Sequence, residues 1–238
     1  MALKVPPGLN EQAVEHFAVR DRKSGRIADE EVGALASAVK LAREEAIRLS
    51  RLEMATLADP TQTREAGLLQ LANAAVRSGE RIAAPLDAAR AKVAARIAEI
   101  DRRISAPPAP RDAVALSIES EVRARLAAMS DKERSAAIDA ALKAGDAVVV
   151  GAVLRGPALL TGLSDARMGM LRNAYKQRFH AAESERVATL TKALEATDRM
   201  GRLFVGLVLE ATSSPAVHLA THAKEQRETA LAAHQQGE

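Results

Sequence analysis

Residues Ala147 to Ser164 read AVVVGAVLRGPALLTGLS, and Arg155 is the only charge among them. This is the one long stretch of the chain with almost no charge. It is too short and too broken to cross a membrane, which takes about 20 apolar residues. Asp146 and Ser164 are residue types that cap helix N-termini, and Gly156-Pro157 breaks the run between them. The stretch therefore reads as a short helix to Leu154, a Gly-Pro break, a turn over Leu159–Leu163 and the cap of the next helix. The apolar run from Ala147 to Leu154 leaves no polar face, so it is expected to be covered all round, either by the chain's own helices or by neighbours in an assembly. The candidate packing or interface residues are Val148, Val149, Val150, Val153, Leu154, Leu159, Leu160 and Leu163, followed by Met168, Leu171, Tyr175 and Phe179 on one face of the next helix.

Working outward, every flank is helical. A further helix carries Val187, Leu190, Leu194 and Phe204 and ends near Thr212; the last begins at Ser214 or Pro215 and thins into HQQGE. On the N-terminal side, Gly145 suits a left-handed helix end. Ser130 and Glu133 have capping-box spacing, and a helix spans Asp112 to about Met129. Ala106-Pro107-Pro108-Ala109-Pro110 is stiff and cannot continue a helix, so the domain break is placed there. Before it, Leu86, Ala89, Val93, Ile97, Ile100 and Ile104 form the clearest apolar seam. Gly79 and Pro85 separate that seam from a helix over Thr61–Ser78. Another helix, from Asp29 to about Ala58, carries Val32, Leu35, Val39, Ala42, Ala46 and Leu49 on one stripe and stops at Asp59-Pro60. Residues 1–28 read as an arm with a helical turn pair around Glu11–Arg20, of a kind often ordered by a partner.

The composition of the 238 residues supports this picture. Hydrophobic residues make up 47%, but they are mainly Ala, Leu and Val, and the only large rings are Phe17, Tyr175, Phe179 and Phe204. Such a core implies close helix-to-helix approach over long seams. There is no cysteine, which removes disulfides, thiolate catalysis and Cys-based zinc sites and fits a cytosolic protein. MALKVPPGLN has no apolar signal-peptide core, so no leader is expected. Thirty-four bases against 31 acids give +3. The densest basic region, Arg77 to Arg103, interleaves its bases with acids at helical spacing, which argues against specific nucleic-acid binding.

No constellation marks chemistry. His218 and His222 stand four apart on one helix face, but HLATH lacks the glutamate of a zinc-protease helix and shows no third ligand. His180, Glu183 and Tyr175 could be drawn as an acid–base cluster, yet nothing in the sequence marks the water-excluded cleft such work needs. The glycines at 145, 151, 156 and 162 do not form a phosphate loop, and Pro157 removes a donor where one would be needed. Met168 and Met170 beside Tyr175 and Phe179 read as a core face.

The run VLRGPALLTGLSDARMGMLRNAYKQRF, Val153–Phe179, resembles a segment of uncharacterised helical proteins encoded in phages and prophages of alphaproteobacteria. The shared pattern is an apolar helix, Gly-Pro, a Leu-Leu-x-Gly-Leu-Ser-Asp turn, then a helix with Leu, Arg and Tyr. No activity attaches to that pattern; the resemblance implies a virion or assembly component.

The expectation is an all-α protein, an elongated helical bundle or coiled-coil-like hairpins in two parts. The parts are an arm at 1–28, a long-helix hairpin at 29–105, a proline-rich hinge at 106–110, a bundle at 111–212 and a C-terminal helix with a polar tail at 213–238. The expected function is non-enzymatic: a phage virion or head-assembly component, in the host cytoplasm or the virion, without cofactor or membrane span. It would act by self-association as a homo-oligomer or by docking to other phage structural proteins. The alternative is a nucleic-acid-binding module using the 77–103 face.

Overall fold

The structure, a computed structural model, describes residues 3–19 and 28–236. Every regular element among them is helical, as the all-α reading requires. The first is a single turn, α1 (Gln12–Glu15). The Asp29 carboxylate accepts the Val32 N–H at 3.0 Å and starts α2 (Glu30–Ala58). The expected stripe of Val32, Leu35, Val39, Ala42, Ala46 and Leu49 is buried along it.

α3 (Arg64–Ile104) runs 41 residues, about 60 Å at 1.5 Å per residue. The separate helices expected either side of Gly79 and Pro85 are one helix. Proline inside a helix costs about 3 kcal/mol. The buried stripe Leu71, Ala75, Ile82, Ala89, Val93, Ile100 and Ile104 continues unbroken across it, and that burial holds the helix through the missing hydrogen bond. Beyond it come α4 (Ala113–Ala127), α5 (Asp131–Ala144), α6 (Ala147–Arg155), a 3₁₀ turn (Ala158–Thr161), α7 (Asp165–Phe179), α8 (Ala181–Thr212) and α9 (Pro215–Gln236). Among the described residues no single helix is long and apolar enough to cross a membrane.

The helices fall into two units, one formed by Met1–Ala94 with Leu190–Glu238 and the other by Ala95–Thr189. The boundary therefore lies inside α3 and α8 and not at residues 106–110, which corrects the expected 29–105 and 111–212 division. The proline run belongs to the second unit because its carbonyls are claimed there. Arg155 Nη1 donates to Pro107 O at 2.6 Å and to Pro108 O at 2.8 Å.

In the first unit the N-terminal segment is seated on its own chain. Leu3, Leu9 and Val14 are buried. Glu53 accepts the Leu3 N–H, Ser50 donates to the Leu3 carbonyl at 2.8 Å, and Arg43 grips Glu11 through two hydrogen bonds of 2.7 and 2.8 Å. Residues 3–19 of the arm thus lie against α2 through these contacts; residues 20–27 lie outside the described residues. α8 buries Leu190, Met200, Phe204 and Leu207, and α9 buries Val217 and Ala220; from His222 to Gln235 every residue of α9 is exposed.

Candidate functional site

The second unit is built around α6, whose local chemistry matches its sequence. Asp146 accepts the N–H groups of Val148 and Val149 at 3.0 Å. Gly145 closes α5 at φ +76°, Gly162 closes the 3₁₀ turn at φ +66°, and Ser164 accepts the Arg167 N–H at 3.2 Å. Ser130 and Glu133 form the capping box.

The candidate residues divide into two groups. Val150, Val153, Leu154, Met168, Leu171 and Tyr175 are core, packed with Leu126 and Ile138, while Val149 and Leu163 are half-buried against them. Val148, Leu159, Leu160 and Phe179 are exposed, Leu159 at 86%. The expected all-round cover of α6 holds from Val150 to Leu154, five successive residues that are all buried, with α4, α5 and α7 packed against the helix, while Ala147 and Val148 in its first turn are exposed.

α4 departs furthest from a simple apolar stripe. Its first half turns Glu119 inward, 4% exposed, while Val114, Leu116 and Ile118 are exposed at 70%, 55% and 44%. The buried carboxylate is held by Arg155 and by Arg123 at 3.6 Å, and Arg123 also donates to Ala152 O at 3.2 Å. A buried charge needs such partners, since removing one costs about 3–5 kcal/mol. The single charge of the opening stretch thus joins α6, α4 and the proline run. Arg134, also buried, donates to the carbonyls of Leu126 at 2.8 Å and Met129 at 2.7 Å, and to that of Gly162. Neither Glu119 nor Arg134 stands out in the sequence. The only signal for α4 is the spacing of Val114, Leu116 and Ile118, which spreads over more than one narrow helical stripe.

The first unit carries an apolar groove of about 680 Å³ between α3 and α8, lined by Ile82, Leu86, Phe204, Val205 and Leu209, with Arg90 and Asp198 paired at 2.6 Å at one end.

The candidate chemical groups do not assemble. His218, His222 and His234 are exposed on α9, and among the described residues no three of His, Cys, Asp and Glu gather as a metal site. His180 lies 3.4 Å from the Tyr175 hydroxyl and 3.8 Å from Glu183, loose for proton transfer. Burial pushes the Tyr175 phenol above its ordinary value, against the opposing charge of Arg155. Of the bases between Arg77 and Arg103, Arg81, Arg90, Lys92 and Arg96 are already in ion pairs with Glu45, Asp198, Glu30 and Glu99. Few of them remain to neutralise phosphates.

No protein-family model, curated protein or solved structure matches the chain.

Proposed function

We propose that this protein is a non-enzymatic helical interaction component that works by self-association or by docking to a larger particle, as a phage virion or head-assembly protein. The observation that carries the interaction reading is the outward apolar surface of the second unit, where Val114, Leu116, Ile118, Val148, Leu159 and Leu160 face solvent while Glu119 is turned inside. Apolar side chains gathered on a surface mark contact sites. The phage setting rests on the resemblance of residues 153–179.

The test pairs light scattering of the purified chain with co-sedimentation against phage capsid, portal and tail proteins. Assembly or binding should be lost in Leu159→Glu/Leu160→Glu with thermal melting unchanged. A strictly monomeric chain that binds none of these proteins would overturn the reading.

A further inference from the structure

The outer face of α8 is complementary to itself, and we infer that two copies of this chain pair through it, antiparallel, about a twofold axis beside Gly206. This rests on the interaction reading above and names the surface that would serve self-association.

The first observation is the shape of this face, where an exposed glycine lies beside two exposed apolar side chains. Gly206 lies inside α8, is exposed, and a Cβ built on it meets nothing within 4 Å. With no side chain there, a second helix can approach the α8 backbone closely. Beside it, Val205 and Leu209 are 54% and 55% exposed at the edge of the α3/α8 groove, which Gly79 and Gly201 also line. Ridge and recess lie on one face, as a twofold contact requires.

The second observation is charge. Arg202 lies four residues before Gly206 and Glu210 four residues after it, both exposed. At 100° per residue each is about 40° from Gly206 around the helix, one on either side. An antiparallel copy centred on Gly206 sets Arg202 level with the other copy's Glu210, so the ion pair forms twice. Arg199 then lies level with Ser213, away from like charge. Leu209 of each copy falls level with the stretch between Arg202 and Val205 of the other, at the mouth of its groove. A parallel copy would set Arg202 beside Arg202, so the charges select the antiparallel pair.

The test uses the full chain in size exclusion with light scattering between about 10 and 100 µM. The wild type should be dimeric. Arg202→Glu and Glu210→Arg should each weaken dimerisation at least tenfold, and the double reversal should restore it; Leu209→Glu should abolish it. All of these side chains are exposed, so circular dichroism should show folded protein throughout. A monomeric wild type overturns the pairing, as does a folded double reversal that stays monomeric. Assembly that survives every α8 change but is lost in Leu160→Glu overturns this contact and leaves the second-unit reading standing. Assembly that survives both sets overturns both.

Discussion

Gly162 ends the 3₁₀ turn at φ +66°, and a Cβ there would stand 2.8 Å from Arg134 Cζ. Two effects coincide at this one residue. An L side chain is strained by the left-handed backbone, and the guanidinium it would displace is the strut for carbonyls on either side of the turn. Gly162→Ala should therefore destabilise the second unit by about 1–2 kcal/mol in urea melts. Gly169 is the control. It lies inside α7, and an alanine methyl there would find no atom within 4 Å, so Gly169→Ala should stabilise by about 0.5–1 kcal/mol. If both changes move the midpoint the same way, the strain at Gly162 is not what decides its identity.

At the scale of elements, α6 passes from an exposed first turn to a fully buried body within a single valine run. Val150→Asp places a carboxylate at a site 1% exposed and should cost about 3 kcal/mol or more. Val148→Asp, at a site 49% exposed, should stay within about 0.5 kcal/mol. Equal thermal shifts from the two would sink this division of α6 into an exposed first turn and a buried body. The ends of α5, α6 and α7 are legible in the sequence because capping is local: Ser130, Gly145, Asp146 and Ser164 do their work on N–H and C=O groups within a few residues. The faces are not. Which side of α4 turns inward is decided by Arg155, 36 residues away from Glu119, and sequence periodicity does not carry such a partnership. The same limit explains Pro85. Its local chemistry predicts a break, while the continuous buried stripe of α3 that overrides it becomes buried only once other helices cover it. The groove between α3 and α8 is equally invisible in the sequence, since exposed Val205 and Leu209 read as ordinary apolar positions until their neighbours are in place.

At the scale of the whole molecule, acid should loosen the fold in one direction. Glu11 sits below its ordinary 4.5: burial pushes it up, but the hydrogen bonds and charge of Arg43 outweigh that. Glu30, Glu99 and Glu133 are also held below 4.5, by Lys92, Arg96 and the Ser130 cap respectively. A carboxyl that is more acidic folded than unfolded contributes stability that is full above the unfolded value and is lost as pH falls through the folded one. Melting temperature should therefore be level from pH 6 to about 5 and drop below about 4.5, and Glu11→Gln should make that drop shallower. A melting temperature that rises on acidification would contradict these pairings. The division of the chain has a further consequence, one of timing. Translation delivers residues 95–189, the whole second unit, in one uninterrupted stretch, and domains fold as units in the order they emerge. The first unit has its α2 stripe early but receives Leu190, Met200 and Phe204 only after the whole second unit has been made. A chain cut after Thr189 thus holds the whole second unit and a first unit whose apolar stripe is still open, so the second unit should fold alone while the first stays unfinished.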